Sequence, residues 1–336
     1  RQRTSSTSNG HDVTSYRDAG VDLDGAAKHV RSIAADVTST WSGKVIGGFG
    51  GFAAGVEMPE GLREPVLMMS TDGVGTKLDL ARRSGLWDGV GNDLVAMCVD
   101  DLAAVGATPL GFVDYIAVGS LQPERDSAIV RSIARGCSVA GCPLLGGETA
   151  EHPGVMESDA VDLAGAVMGV VEKSRALSPE DVSEGDVIIG LHSPNLRSNG
   201  FSLIRTLFGD DIDSHIEDLL APSVIYSPAV LAAVATGGVL SAAHITGGGI
   251  AENLERSLPA HLGAEVDTSA WTPPEIFRLV AERGVEAGDM FRTFNMGIGF
   301  CLVVDAPLLD AVLNATADHS PIVVGRVTSE PGVVVL

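Results

Sequence analysis

Val66-Leu67-Met68-Met69-Ser70-Thr71-Asp72-Gly73-Val74-Gly75-Thr76-Lys77 runs from a strand, through a glycine turn, into a helical stretch. Residues 66–70 are apolar and strand-like. Gly73 and Gly75 let the backbone turn tightly with its N–H groups outward. A strand feeding a helix in this way points to layered α/β structure. Asp72 offers hard oxygen ligands at the strand end and Lys77 offers a cation, a set suited to a metal-bridged phosphate chain. The competing reading is an ordinary glycine-rich turn with solvated charges. The segment is not a Walker loop, since G-x-x-x-x-G-K-[ST] does not occur in the chain.

The α/β pattern continues outward. Residues 111–118, 143–147 and 161–172 read as strands, with helices expected at 87–106 and 122–140, the latter opened by Pro123 in its first turn. The text turns polar over 172–185, and a domain boundary is expected near Lys173. A tail over 1–14, a first domain over 15–173 and a second over 174–336 follow from this. In the second, strands are expected at 187–191, 299–304, 321–327 and 332–336, and helices at 201–208, 228–235, 250–258 and 274–283. The fold class is mixed α/β in a two-domain chain.

Forty-four acidic against 22 basic residues leave a net charge of −22, which excludes nucleic-acid binding through bulk electrostatics. ATP would be repelled too, so a site for it needs metal ions, backbone amides or a few placed cations. No apolar run approaches the roughly 18 to 20 residues of a membrane span, and residues 1–13 lack a secretory core. Cys98, Cys137, Cys142 and Cys301 show no C-x-x-C spacing and read as reduced core thiols of a cytoplasmic protein.

On the helix after the glycine turn, Asp93 and Asp100 fall within about 20° of each other, and Asp101 lies about 80° from Asp93. Acids among Leu94, Val95, Cys98, Val99 and Leu102 must face water or hold cations, and beside Asp72 metal is favoured. Leu144-Leu145-Gly146-Gly147-Glu148 brings a further carboxylate to a strand end, where Glu148 could complete an Mg²⁺ shell; an exposed Glu after a Gly-Gly turn is the alternative. Thr246-Gly247-Gly248-Gly249 and Ser198-Asn199-Gly200 each precede a helix, and the free amides there suit a phosphate monoester, or simply cap the helix. Gly47-Gly48-Phe49-Gly50-Gly51-Phe52 is compatible with a lid over nucleotide. The eight histidines form no H-E-x-x-H spacing.

Set in order, these pieces resemble the phosphoribosylformylglycinamidine cyclo-ligase family, also called aminoimidazole ribonucleotide synthetases. The matching text is Ser15-Tyr16-Arg17-Asp18-Ala19-Gly20-Val21-Asp22, the 47–52 run, residues 70–77 and 93–102, Gly146 to Glu151, Thr246 to Gly249, and Met290-Phe291-Arg292-Thr293-Phe294-Asn295. The resemblance implies a homodimer whose amino-terminal domains pair into a β-barrel with nucleotide clefts at the interface, and a carboxyl-terminal α/β domain covering the substrate. It implies ATP and Mg²⁺ held by Asp72, Asp93, Asp101 and Glu148 with Gly73, Gly75, Thr76, Lys77 and Gly147, with Asp101 and Lys77 catalytic. Formylglycinamidine ribonucleotide would meet Arg197, Ser198, Asn199, Gly200 and the Thr246, Gly247, Gly248 and Gly249 turn. The reaction implied is phosphorylation of the formyl amide oxygen and ring closure by the amidine nitrogen.

Two positions depart from the family pattern. Arg197 stands where His-Ser-Asn-Gly is common, and a permanently charged guanidinium suits clamping phosphate better than moving protons. Asp100 stands where Asn is common. Selenophosphate synthetases, thiamin-phosphate kinases and hydrogenase-maturation proteins resemble the Asp and Gly-Gly motifs only in part.

Overall fold

The computed structural model describes residues 23–336; the tail over 1–14 and the 15–22 motif lie outside the described residues. In chain order the elements begin with α1 (Leu23–Thr38), β1 (Val45–Ile46), β2 (Gly55–Val56), β3 (Pro65–Gly73), α2 (Lys77–Ser84), α3 (Val90–Ala104) and β4 (Thr108–Val118). Next come α4 (Pro123–Ala140), β5 (Leu144–Glu151), β6 (Val161–Glu172), β7 (Val187–His192), α5 (Phe201–Phe208), α6 (Ile216–Leu219) and α7 (Ser227–Ala235). The chain closes with β8 (Val239–His244), α8 (Gly249–Glu255), β9 (Gly263–Val266), α9 (Glu275–Ala281), α10 (Ala287–Thr293), β10 (Ile298–Val304), α11 (Leu309–Ala315), β11 (Ile322–Thr328) and β12 (Gly332–Val335).

Residues 65–172 supply a four-stranded sheet ordered β3-β6-β4-β5, and residues 187–335 a six-stranded sheet ordered β12-β9-β11-β7-β10-β8. Both are mixed: β4 and β5 run parallel, as do β12 and β9, and the other pairings are antiparallel. Helix α3 lies between the first sheet and the second half of the chain. Leu94, Cys98, Val99 and Leu102 are buried within it, as are the charged Asp93 and Asp100.

The opposite face of the first sheet is bare. Leu67 and Met69 on β3 and Val113 and Tyr115 on β4 are 52, 74, 42 and 42% exposed. The ladder puts Leu67, Met69, Val113 and Tyr115 on one face, because side chains alternate along each strand. Among the described residues no helix is long and apolar enough to cross a membrane. The four cysteines are free and buried, and burial pushes the thiols of Cys98, Cys142 and Cys301 up to about 12.

Strand β6 and helix α5 match the sequence expectation end to end, and α4 begins one residue later than expected. The helix expected over 87–106 is shorter at both ends, starting at Val90 and stopping at Ala104, where Val105 leaves the helical region at φ −108° and ψ 10°. Helix α1 lies outside the expected elements, although Val30, Ile33 and Val37 recur at helical spacing and line one cavity with β5.

Candidate active site at the seam of the two sheets

Pairwise contacts link the β3-to-α2 turn, the end of α3 and the two glycine turns of the second half. Ser70 Oγ donates to Asp101 Oδ2 at 3.0 Å, and Asp101 Oδ1 lies 2.9 Å from His244 Nδ1 at the end of β8. Thr76 Oγ1 lies 3.2 Å from Ser202 Oγ, which brings the first glycine turn to the start of α5. Ser70, Asp101, His244, Thr246 and Arg256 all line one pocket of about 370 Å³.

Asp72 and Asp101 sense each other here. Burial pushes the Asp72 carboxyl above its ordinary range; the Gly73 amide pulls it back down, and the Asp101 charge raises it further. For Asp101 burial also acts upward, but the hydrogen bonds from His244 and Ser70 and the charge of Arg256 outweigh it and hold the carboxyl below its ordinary range. Two neighbouring carboxylates, one of them 43% exposed in its side chain, make an edge that attracts a cation.

The glycine turns are shaped by what packs beneath them. Gly200 has φ 78°, and a Cβ there would meet Phe294 at 2.2 Å; Gly249 has φ 64°, and a Cβ there would meet the Phe291 carbonyl oxygen at 1.8 Å. Helix α10 and the residue after it therefore fit against both turns, which accounts for the Met290-to-Asn295 motif. The two turns are neighbours, since Asn199 Oδ1 lies 3.9 Å from the position a Gly247 Cβ would take.

Five expectations, at Lys77, Asp93, Arg197, Glu148 and Gly147, require correction. Lys77 does not face a ligand: it is fully buried, its Nζ pairs with Asp93 at 2.7 Å, donates to the carbonyls of Arg197 and Ala221 at 3.1 and 3.0 Å, and lies over the Phe201 ring. Asp93 is likewise sealed, accepting from the Ser223 amide and hydroxyl at 2.7 and 2.6 Å. An ammonium and a carboxylate that neutralise each other away from water are a strut between the two halves, not metal or phosphate ligands.

Arg197 is also fully buried. Its Nη2 pairs with Asp100 Oδ2 at 2.9 Å and its guanidinium lies 4.9 Å from the Tyr226 ring centroid, so it is not placed to clamp a phosphate. Asp100 Oδ1 accepts from the amides of Tyr226 and Ser227 at 2.8 and 2.9 Å, satisfying the first N–H groups of α7 from the other half of the chain.

Glu148 is separated from Asp72 twice over. In the ladder Asp72, Gly165, Asp114 and Gly147 form one row, and Glu148 belongs to the next, opposite Tyr115. The carboxylates thus lie on opposite faces, and three strand spacings of about 4.8 Å put roughly 14 Å between their backbones. Gly147 instead lines a second cavity of about 410 Å³ with Gly48, Phe49, Asp114 and Thr149, beneath the glycine-rich 47–52 stretch. Burial pushes the Asp114 carboxyl there up to about 7.

Sequence reading missed His244, Ser70 and Arg256. The usable signal was position: His244 stands at a strand end two residues before the Thr246-to-Gly249 turn. Among the described residues no group of three or more His, Cys, Asp or Glu side chains could hold a metal ion alone.

Residues 56–171 match the family model described as AIR synthase related protein, N-terminal domain, and residues 183–336 match AIR synthase related protein, C-terminal domain. The chain is 45% identical over 333 residues to a phosphoribosylformylglycinamidine cyclo-ligase of Synechococcus sp. (strain CC9605), covering 94% of this chain and 96% of that relative. It is 44% identical over 337 residues to the protein of that name from Shouchella clausii, covering 95 and 97%. Among solved structures, thiamine-monophosphate kinase from Stenotrophomonas maltophilia shares the fold at TM-score 0.64 and 20% identity, covering 93% of this chain and 95% of that one. Hydrogenase maturation protein HypE in complex with ATP does so at TM-score 0.67 and 16% identity, covering 94 and 92%. With near-complete coverage by relatives of one name and both domain models matched, the chain belongs to the phosphoribosylformylglycinamidine cyclo-ligase family.

Proposed function

We infer that this protein carries out the ATP-dependent cyclisation of formylglycinamidine ribonucleotide to 5-aminoimidazole ribonucleotide in purine biosynthesis. The γ-phosphoryl group passes to the formyl amide oxygen, the amidine nitrogen attacks the same carbon, and that oxygen leaves with phosphate. The products are the aminoimidazole, ADP and phosphate.

The observation that carries the reading is the electrostatic coupling of Asp72 to Asp101, whose pocket reaches Thr246 at the start of one glycine turn, with Asn199 of the other turn close to Gly247. Asp72 and Asp101 hold Mg²⁺. A donor set of two carboxylates fits this ion, which is usually bound by one or two carboxylates together with substrate phosphates and water. Mg²⁺ when bound neutralises charge on the phosphate oxygens. Gly73, Gly75 and Thr76 present the first turn to the phosphate chain. ATP as co-substrate is supported by the family and by the fold neighbour solved with it. Residues 198–200 and 246–249 take the ribonucleotide phosphate through their amides.

Two such chains pair through the bare face that carries Leu67, Met69, Val113 and Tyr115, with the first domain over 15–173 and the second over 174–336. An apolar sheet face of this kind calls for a partner. The test is to incubate the protein with ATP, Mg²⁺ and formylglycinamidine ribonucleotide and follow aminoimidazole formation with ADP and phosphate. Nucleotide binding without any aminoimidazole product would refute the reading.

A further inference from the structure

A line of side-chain contacts runs inward from the cleft. Asp101 Oδ1 meets His244 Nδ1 at 2.9 Å, His244 Nε2 meets Arg197 Nη2 at 3.0 Å, and the same Nη2 donates to Asp100 Oδ2 at 2.9 Å. A guanidinium carries donors and no acceptor, so His244 Nε2 must accept. The ring then keeps its proton on Nδ1 and donates it to Asp101. Its plane is fixed by stacking on Phe300, at 5.9 Å between centroids and 18° between planes.

The far end of the line is anchored equally well. Asp100 Oδ1 is committed to the Tyr226 and Ser227 amides, which leaves Oδ2 for Arg197. Asp100 and Arg197 are sealed, His244 shows only an edge in the pocket wall, and Asp101 is the open end of the line, its second oxygen held by Ser70. Each Asp101 oxygen thus has one lone pair occupied by protein and one left for a ligand. The line starts and ends on α3, at Asp101 and Asp100, and passes between them through the second half of the chain, His244 from β8 and Arg197 from the loop before α5.

We propose that His244 is a positioning residue for Asp101, and that the buried Arg197–Asp100 pair holds the His244 ring in its Nδ1–H form. The proposal rests on Asp101 serving Mg·nucleotide. A hydrogen-bond partner behind a metal-binding carboxylate fixes its orientation, and losing one typically costs 10- to 100-fold in affinity or activity. A histidine that merely fills the core would show no preference for which nitrogen is replaced.

Two variants separate these cases. In His244→Asn the amide nitrogen overlays Nδ1, keeping the donor to Asp101; in His244→Gln the polar end overlays Nε2, and that donor is lost. Binding of Mg²⁺ with a non-hydrolysable ATP analogue is measured by calorimetry, alongside thermal melting. Histidine ¹⁵N spectra of the wild-type chain are recorded without ligand, the His244 signal being assigned by its loss in His244→Asn. The expected results are a ring with Nδ1 protonated and Nε2 bare, affinity about 10-fold or more weaker in His244→Gln, and a loss of no more than about 3-fold in His244→Asn. Wild type that binds the nucleotide but shows Nε2 protonated, or variants equally impaired, overturns this proposal alone. Wild type that binds no Mg·nucleotide overturns the functional reading, and this proposal with it. Should His244→Gln fail to fold, the wild-type ring state together with His244→Asn affinity decides.

Discussion

Asp100 and Arg197, 97 residues apart, pair at 2.9 Å with both side chains wholly buried. The sequence resemblance singles out both as departures from the family's motifs, and they touch. Breaking a buried ion pair from one side strands a charge, at about 3–5 kcal/mol. Asp100→Asn and Arg197→His should each lower the melting temperature by several degrees. The double variant should recover most of the loss, since the introduced carboxamide oxygen would still accept from the α7 amides and no unpaired charge would remain. Additive losses in a double-mutant cycle of thermal melts would show that the pair is not coupled.

Asp101→Asn is expected to cut turnover by about 100-fold or more. It should cost less stability than a change at the sealed Asp93 or Asp100, because the side chain is partly exposed, although its single carboxamide oxygen can replace only one of the acceptors offered to Ser70 and His244. Steady-state rates beside a melting curve check this. Unchanged kcat would remove Asp101 from the chemistry.

Lys77→Met should behave in the opposite way. It strands Asp93 inside the seam, so stability falls by about 3–5 kcal/mol, while nucleotide affinity measured at low temperature on the folded fraction changes little. A normal melt with abolished nucleotide binding would return Lys77 to the phosphate site.

Much of this is readable in the sequence, and what is not has a geometric reason. The β3-to-α2 turn and the two glycine turns are local, because glycine chemistry and strand-helix order are written within a few residues. The angles on α3 hold as well: Asp93 and Asp100 share a face and Asp101 stands away from them. A helix repeat does not say which side meets water. Lys77 and the Ser223 amide turn the shared face inward, and the partner of Asp101 lies 143 residues downstream. For Glu148 the difference is a single residue of strand alternation, which is enough to change faces.

Asp114 supplies a pH test. Its carboxyl ionises near its ordinary 3.8 when unfolded and at about 7 when folded. The folded state therefore holds a proton that the unfolded chain releases, and stability falls as pH rises through this window, with the full penalty above about 7. Asp114→Asn should raise the melting temperature at pH 8 and leave it nearly unchanged near pH 4. An equal effect at both values would mean the carboxyl is not destabilised by burial.

The bare face of the first sheet predicts self-association. Met69→Asp, at the most exposed of its apolar positions, should shift the sedimenting species from dimer to monomer at micromolar concentration without loss of helical signal. A wild-type monomer under the same conditions would contradict the pairing proposed for this face.

The capping of α7 by Asp100 also bears on how the chain is made. During synthesis α3 emerges with a carboxylate whose cation, Arg197, and whose amides, at Tyr226 and Ser227, have not yet been translated. The first sheet can assemble on the ribosome, but the cation that balances Asp100 comes 97 residues later and the last amide it accepts from 127 residues later. Severing the gene between the sheets would therefore yield two fragments that need each other, and complementation in trans would require them to meet along α3.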